Sequence, residues 1–342
     1  MITGVTFIVI ARNEGFGIER CLGSLLAMPL EQCQIVCIDS NSTDETRNVM
    51  ERYASVRPDL VEVHDCHGRS ITNAAIARNT GLPLIRCEYT FWLDGDVQVS
   101  PEFVEKGLEV LKSGQAALVA GPLREIRYEE AFKSVSAVLE ARQTIAAERS
   151  IYHSGGNFLI TTGFARRIGM WDETFPINED FDYTLRASRL ERCVAIPVTM
   201  GTHHTLASNY TKRSWLYLRR RYPMYFGMII RRHCLVHTRG VVALMRHEGV
   251  GNAAYIATLL MVVGLYCVRH ANVTLWYAFF PPIVFCLLDL ARCLLRGRSL
   301  QDRFIVNYAA APVVFMGFLM NRPPCRVQRP LPVKPALCTT SV

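Results

Sequence analysis

The amino-acid sequence predicts an α/β domain with a mostly parallel sheet and flanking helices, followed by a basic interfacial helix and two to three transmembrane helices. Three observations support this class. Strand and helix patterns alternate through the first half of the chain. The charge then reverses, because residues 1–205 carry 20 Lys/Arg against 27 Asp/Glu whereas residues 206–342 carry 18 against 3. Finally, apolar segments with no more than one charged residue each recur from residue 250 onward.

The strand and helix patterns follow one another in the order of repeated βα units. Continuous apolar runs predict strands at residues 5–11, 34–38, 61–63, 89–93 and 116–120. Apolar residues at helical spacing predict helices after the first two strands, near residues 71–79, and from Pro101 onward. Since the carboxyl ends of parallel strands meet at one edge of a sheet, the polar clusters that follow these strands are expected to form a ligand site there.

The second half of the chain has the pattern of a membrane anchor. Residues 206–249 mix arginines with aromatic residues, which favours a helix at the membrane interface. Residues 250–268 and 273–291 are long enough to span a bilayer, and residues 304–320 are a shorter candidate whose full crossing the sequence leaves open. The arginines place the first domain, residues 1–205, on the cytoplasmic side. Residues 321–342 are rich in Pro and Arg and are expected to lack regular structure.

Composition also argues against other classes. The excess of basic residues lies among apolar segments rather than on a separate face, so nucleic-acid binding is not expected. The twelve cysteines show no C-x-x-C spacing and are interpreted as small buried hydrophobic residues in a reducing compartment. No secretory signal peptide is expected, because the first apolar run leads directly into Arg12-Asn13-Glu14.

Several polar clusters combine residue types that could carry chemistry. Asp94-Gly95-Asp96 follows a predicted strand; its two carboxylates can share a divalent cation, and its glycine lets a diphosphate approach the backbone. The loop from Asp39 to Asp44 offers a carboxylate to a nucleotide base or ribose. Asp180 follows Glu179 at the start of a predicted helix. Each cluster also has a plainer explanation as a turn, a helix cap or a favourable first-turn charge.

The order of these clusters resembles that of the family 2 glycosyltransferases over roughly residues 3–205. The motifs that carry the resemblance are, in order, Asn13-Glu14, Ile38-Asp39-Ser40-Asn41-Ser42-Thr43-Asp44, Arg78-Asn79-x-Gly81, Leu93-Asp94-Gly95-Asp96 and Glu179-Asp180. Residues 156–180 also resemble that family's acceptor-side block. The nucleotide loop departs from the family pattern, since family members often have a second Asp and a Gly where this chain has Ser40 and Asn41.

The resemblance implies a GT-A fold that transfers a sugar from a nucleotide donor with inversion, and it implies roles for individual residues. Asp180 would be the catalytic base, and Asp96 with Asp94 would hold Mg²⁺ or Mn²⁺ against the diphosphate. His203 is a further candidate metal ligand, with a surface histidine as the alternative. Nucleotide-sugar contacts are expected from Ala11, Asn13, Glu14, Asp39, Asn79, Asp94 and Asp96. Acceptor or diphosphate contacts are expected from Gly155, Gly156, Asn157, Glu179, Arg219, Arg220 and Arg221.

The resulting prediction is a membrane-anchored glycosyltransferase of the bacterial inner membrane, acting at the cytoplasmic face in cell-surface glycan assembly. It would move one sugar from a nucleotide sugar to a lipid-linked acceptor, and transfer to polyprenyl phosphate is the alternative. A processive synthase is disfavoured, because the chain has no Q-x-x-R-W motif. Sugar nucleotidyl transfer and a non-catalytic membrane-surface scaffold are alternatives from other classes. The sequence leaves the donor sugar, the linkage and the oligomeric state open.

Overall fold

The computed structural model describes residues 2–66, 68–69, 71–129, 132–139, 145–206, 222–247 and 310–319. Within these residues there are fourteen strands and nine α-helices. The strands are β1 (Ile2–Thr3), β2 (Val5–Ala11), β3 (Leu30–Glu31), β4 (Gln34–Asp39), β5 (Val61–Asp65), β6 (Tyr89–Asp94), β7 (Val97–Val99), β8 (Leu118–Ala120), β9 (Leu123–Tyr128), β10 (Val135–Leu139), β11 (Arg149–Ile151), β12 (Phe158–Thr161), β13 (Cys193–Ala195) and β14 (Gly201–Leu206). The helices are α1 (Gly15–Leu26), α2 (Thr46–Val56), α3 (Ala74–Gly81), α4 (Pro101–Lys112), α5 (Thr162–Ile168), α6 (Glu179–Leu190), α7 (Tyr222–His233), α8 (Thr238–His247) and α9 (Ala310–Leu319).

An eight-stranded sheet forms the centre of the fold, in the order β11-β13-β8-β12-β6-β2-β4-β5. The pairs from β6 to β5 are parallel, as is the pair of β8 and β13. Strand β12 runs antiparallel between β6 and β8, and β11 runs antiparallel to β13. The α/β class is thus confirmed, but the sheet is more mixed than predicted, because the chain stops following βα units after β8.

The antiparallel direction of β12 adds a loop to the functional edge of the sheet. Phe158 at the start of β12 pairs with Trp92 near the end of β6. The segment that precedes β12, residues 152–157, therefore lies at the edge where the parallel strands end. A parallel strand would instead have contributed the segment that follows it.

Helices cover both faces of the large sheet, which explains why its central strands are apolar along their length. All seven residues of β2 are buried, and successive side chains point to opposite faces. Phe7 lies in a hydrophobic cluster with residues of α1, α2 and α4. Ile8 lies in a second cluster with residues of α3, α5 and α6. The strand ends that carry polar residues are therefore fixed by packing on both sides.

A second sheet of four strands, in the order β10-β9-β14-β7, lies next to the end of β6. Strand β14 pairs with β9 in parallel and with β7 in antiparallel orientation. The backbone N–H of His204 in β14 donates to the carbonyl of Asp96, at 2.9 Å. This sheet, which the sequence patterns did not predict, therefore holds His203 of the same strand beside the Asp94-Gly95-Asp96 turn.

Helices α7, α8 and α9 pack beside α6 around a third hydrophobic cluster. Its members are Phe175, Leu185, Met224, Tyr225, Phe226, Met228, Ile229, Leu244 and Val314. Tyr225 and Phe226, which the sequence analysis assigned to a helix at the membrane interface, are only 6% and 3% exposed. These two rings are buried because α7 contacts both α6 and α9, so they face protein rather than lipid headgroups.

The other predicted membrane segments are mostly outside the described residues. The predicted spans at 250–268 and 273–291 and the tail at 321–342 lie outside them. Of the candidate at 304–320, only the ten residues of α9 are described. Within the part of the chain that the structure describes, no helix has both the length and the apolar character needed to cross a bilayer. The membrane anchor and the division of the chain into the four domains 1–205, 206–249, 250–320 and 321–342 stay predictions.

Candidate active site

A cavity of about 430 Å³ opens where β2, β4 and β6 end. It collects residues from eight separate parts of the chain. The predicted site residues that line it are Ala11, Glu14, Asp94, Asp96, Gly155, Gly156, Asn157, Asp180 and His203. The structure therefore brings the predicted cation-binding turn, the predicted base and the glycine-rich loop into one space.

Other predicted site residues lie outside the lining of this cavity. Asn13 and Asp39 shape the neighbouring loop: Asn13 Oδ1 accepts from the Thr43 backbone N–H at 2.8 Å, and Asp39 Oδ1 accepts from Ser42 N–H at 3.2 Å. Both side chains are thus used to fold the loop that was predicted to contact the nucleotide. The predicted residues Arg219, Arg220 and Arg221 lie outside the described part of the chain.

The amide of Asn79 has a structural role instead of the expected contact with the donor. Its Nδ2 donates to the Trp171 carbonyl and to Glu173 Oε1, both at 2.9 Å, and its Oδ1 accepts from Trp171 N–H at 2.8 Å. Because both ends of the amide are engaged, Asn79 has no free donor to offer a nucleotide. It ties α3 to the segment 171–173.

Arg78 is the buried centre of the site. Its Nη2 donates to Asp94 Oδ1 and its Nη1 donates to Glu179 Oε1, each at 2.7 Å. The guanidinium carbon lies 4.5 Å from the ring centroid of Trp171, and the residue is only 2% exposed. One cation thus links the end of β6 to the start of α6.

Arg78 has no predicted role in the site, although the sequence contains a signal for one. Arg78 lies in α3 directly after three buried apolar residues, Ala75, Ile76 and Ala77. An arginine on so apolar a helix needs carboxylate partners, because an unpaired buried charge is very costly. That argument predicts partners but does not identify Asp94 and Glu179, which come from distant segments.

The loop before β12 completes the surroundings of Asp94. Asn157 Oδ1 accepts from the Asp94 backbone N–H at 2.7 Å, and Asn157 Nδ2 donates to Asp94 Oδ2 at 2.9 Å. A Cβ atom added to Gly156 would overlap Nη2 of Arg78. Gly156 is therefore needed for space, and Asn157, which was expected to contact acceptor or diphosphate, positions Asp94.

Asp96 and His203 face each other at the cavity, with 2.9 Å between Oδ2 and Nε2. Although burial disfavours the imidazolium, the hydrogen bond and charge of Asp96 raise the pKa of His203 to about 9. Burial, followed by the charge of Asp96, raises the pKa of Glu14 to about 8. This end of the cavity therefore concentrates negative charge and retains protons near neutral pH.

Asp180 lies in the first turn of α6, at the cavity. Asn178, just before the helix, has a φ of +64°, which turns the chain sharply into that first turn. Burial, followed by the charge of Glu179, raises the pKa of Asp180 to about 8, against the opposing charge of Arg78. A carboxylate that binds a proton near neutral pH is suited to general-base chemistry.

A divalent cation would find two protein ligands here. Asp94 is the less suitable carboxylate, because both of its oxygens accept hydrogen bonds from Arg78 and Asn157. Asp96 Oδ2 and His203 Nε2 point at each other, and a cation could take the place of the proton between them. Among the residues that the structure describes, no three His, Cys, Asp or Glu side chains form a ready metal cluster. Two ligands fit a cation whose other positions are filled by substrate phosphates and water.

Comparison with protein families supports the class expected from the sequence. Residues 6–170 match the model described as glycosyl transferase family 2. The match covers just under half of the chain, so this part of the chain is similar to the family 2 glycosyltransferases.

Curated relatives match over limited segments. The uncharacterized glycosyltransferase EpsJ of Bacillus subtilis is 29% identical over 119 residues, which cover 35% of this chain and 33% of EpsJ. The poly(ribitol-phosphate) β-N-acetylglucosaminyltransferase TarP of Staphylococcus aureus is 30% identical over 121 residues, covering 34% of this chain and 36% of TarP. The uncharacterized glycosyltransferase YaiP of Escherichia coli is 26% identical over 206 residues, covering 56% of this chain and 50% of YaiP. The chain thus matches no more than about half the length of these relatives.

Solved structures agree on the fold. The mannosyltransferase PcManGT of Pyrobaculum calidifontis, in complex with GDP-Man and Mn²⁺, superposes with a TM-score of 0.54 at 16% identity, over 92% of this chain and 86% of PcManGT. Residues 1–349 of S. aureus TarS superpose with a TM-score of 0.50 at 15% identity, over 90% of each chain. At these identities the likeness concerns the fold alone, which is the GT-A-like α/β fold expected from the sequence.

Proposed function

We propose that this protein transfers one sugar from a nucleotide-sugar donor to a hydroxyl acceptor with inversion at the anomeric carbon. The proposal rests on one cavity that contains two functions. Asp96 and His203 could bind a divalent cation there, and the Asp180 carboxylate could accept a proton. Inverting transfer needs these two functions, one for the leaving diphosphate and one for the attacking oxygen.

The donor would lie along the loops at the ends of β2, β4 and β6. Ala11 and Glu14 line the cavity beside the Asp94-Gly95-Asp96 turn, where the diphosphate would meet Asp96 and His203. Mg²⁺ or Mn²⁺ held by this pair would supply charge neutralisation to the diphosphate as it departs. The complex of PcManGT with GDP-Man and Mn²⁺ supports this choice of donor and metal class.

Asp180 would serve the acceptor. As the acceptor oxygen forms its bond to the anomeric carbon, the bond to the diphosphate breaks, and the hydroxyl proton passes to the Asp180 carboxylate. The raised pKa of Asp180 favours a hydroxyl over polyprenyl phosphate, because an ionised phosphate has no proton to give up. Arg78 would act behind this step by keeping Asp94 and Glu179 in place.

A lipid-linked acceptor at the cytoplasmic face of a bacterial membrane, within cell-surface glycan assembly, completes the proposal. Two named relatives act on poly(ribitol-phosphate), and a third is a putative teichuronic acid biosynthesis glycosyltransferase, which supports a cell-surface glycan. The apolar segments at 250–268 and 273–291 support an anchor. Between α7 and α8, Leu235 is 92% exposed and lies four residues before the exposed Arg239, a pairing that suits a membrane surface.

The proposal is tested in two steps on the full chain. A thermal-shift screen with UDP-, GDP- and dTDP-sugars plus Mn²⁺ is expected to find a donor that raises the melting temperature. Membranes that contain the protein are then incubated with that donor, radiolabelled, and with either a polyprenyl-diphosphate-sugar or polyprenyl phosphate. We expect label only in the first lipid and an inverted anomeric configuration in the product. Retained configuration, or transfer to neither lipid, would contradict the proposal.

A further inference from the structure

His203 is flanked by a second carboxylate that the mechanism above does not use. Strands β14 and β9 are parallel, and their register pairs His203 directly with Glu125. Paired residues of neighbouring strands point to the same face of a sheet, so the two side chains meet. Glu125 Oε2 lies 3.5 Å from His203 Nδ1, on the side of the ring away from Asp96.

Arg127 holds Glu125 in this position. Arg127 Nε donates to Glu125 Oε1 at 2.7 Å, and the two residues are two apart on β9 and therefore share a face. The Glu125 side chain is only 13% exposed. One oxygen of Glu125 is thus bound by a guanidinium and the other faces the imidazole. The four side chains form a row of alternating charge, with Asp96 first, then His203, Glu125 and Arg127.

The neighbouring histidine shows that this arrangement is specific to one face of β14. His204 points to the opposite face, where its Nδ1 lies 2.9 Å from the Tyr128 hydroxyl and its Nε2 lies 3.1 Å from Gln98 Oε1. Its partners are neutral and it is 4% exposed, which is the environment of a structural histidine. Only His203, on the cavity side, has carboxylates at both nitrogens.

We propose that Glu125 is a positioning residue that keeps the ring proton of His203 on Nδ1, so that Nε2 presents its lone pair to the divalent cation beside Asp96. A neutral imidazole carries one proton, and the hydrogen bond made by one nitrogen decides which nitrogen is free to bind a metal. The inference rests on the proposed function, since it assigns the second layer of the cation site named there. The row ends in Arg127, which orients Glu125.

The first experiment measures Mn²⁺ affinity rather than turnover. The full chain is titrated with Mn²⁺ in the presence of the nucleoside diphosphate of the donor found above, and free Mn²⁺ is followed by electron paramagnetic resonance. Loss of an outer carboxylate typically weakens metal binding by about 10- to 100-fold, and we expect a Kd change in that range for Glu125→Ala. Glu62→Ala is the matched control, because Glu62 Oε2 lies 3.4 Å from His64 Nε2 on the edge strand β5, and its removal should leave the Kd unchanged.

The outcomes separate the two proposals. If wild-type protein binds no Mn²⁺ with the nucleotide present, the cation site of the proposed function is wrong and this inference falls with it. If wild type binds Mn²⁺ and Glu125→Ala binds equally well, the cation site holds and the role of Glu125 is wrong.

A second measurement reads the tautomer in the wild-type protein and needs a variant only to assign one signal. Nitrogen-15 chemical shifts of histidine side chains in the Mg²⁺-bound wild type report the tautomer, and the His203 signal is identified by its loss in His203→Asn. We expect the proton on Nδ1. A proton on Nε2 would overturn the inference.

Discussion

Helix α6 carries two buried ionic clusters within four residues, and their balances of charge are opposite. At Glu179, one cation, Arg78, is shared with Asp94, and the carboxylate of Asp180 lies close by. At Asp182, one carboxylate receives hydrogen bonds from Arg186, Arg232 and His233. The first cluster is short of positive charge, whereas the second is rich in it.

The pKa values follow this difference. Burial and the neighbouring Glu179 raise the pKa of Asp180 to about 8. Asp182 is fully buried, yet His233, Arg186 and Arg232 outweigh the effect of burial and hold its pKa well below the usual range. Unbalanced charge is typical of a reactive site and compensated charge of a structural one. The comparison therefore assigns chemistry to the start of α6 and anchoring to the following turn.

The largest effect is expected from removing the cation of the first cluster. Arg78→Met would leave Asp94 and Glu179 without their shared partner, and breaking a buried ion pair typically costs about 3–5 kcal/mol. The free energy of unfolding is measured by urea denaturation. Arg86→Met is the control, since Arg86 pairs with Glu62 at the surface and should lose no more than about 1 kcal/mol. Equal losses in the two variants would contradict a central role for Arg78.

The base itself is tested by Asp180→Asn. The asparagine side chain cannot take up the proton of the attacking hydroxyl. Loss of a general base typically lowers kcat by about 10²- to 10⁴-fold. Binding of the nucleotide sugar, followed by calorimetry, should stay within about twofold, because Asp180 serves the acceptor side. Glu191→Gln, an exposed carboxylate just beyond the end of α6, is the control and should keep full activity. A variant Asp180→Asn with wild-type kcat would remove the assigned role.

The second cluster is tested by stability. Asp182→Asn should lower the free energy of unfolding by about 1–3 kcal/mol, because charged hydrogen bonds to two arginines and a histidine are lost. The folded-state pKa of Asp182 lies below its unfolded value of 3.8, so its stabilising contribution is complete above that pH and fades as the pH falls further. The difference between wild type and variant should therefore be constant from pH 5 to pH 8 and shrink below about pH 4. If the difference in the free energy of unfolding stayed constant down to pH 2, the Asp182 carboxylate would not be stabilised by its charged partners as described.

The smallest effect concerns the pH profile of kcat/KM for the donor. A base with a raised pKa in the free protein must lose its proton before it can act, so kcat/KM should fall about tenfold per pH unit below pH 8. Asp182→Asn should leave the inflection of this profile in place, because Arg186, Arg232 and His233 already compensate the charge of Asp182. A pH profile that is flat from pH 6 to pH 9 would show that the base does not have a raised pKa, and the difference between the two clusters would be wrong.

The parts of the site that follow from local sequence were predictable. Strands β2, β4 and β6 lie where the apolar runs predicted them, and the turns after them carry Asp39, Asp94 and Asp96 as expected. Parallel strands bring such turns together without any knowledge of distant contacts. Asp180 was also predictable, because acidic residues at a helix start combined with the order of motifs indicated it.

The missing parts depend on contacts between distant segments. Neither the partners of Arg78 nor the reversed direction of β12 can be inferred from a helical or strand pattern. The pairing of Glu125 with His203 requires the four-stranded sheet, whose short strands have mixed composition. The motif suggested that the Asn79 side chain binds a ligand. The fold shows that its amide is hydrogen-bonded to Trp171 and Glu173 instead.

The crowding between Gly156 and Arg78 has a consequence for sequence variation. The φ of Gly156 is not in the left-handed region, so its backbone alone would accept any residue, and the obstacle to a side chain is the guanidinium. The two positions should therefore vary together among homologues. Where Arg78 is replaced by a shorter residue, position 156 should become permissive, and where Arg78 is kept, it should remain glycine.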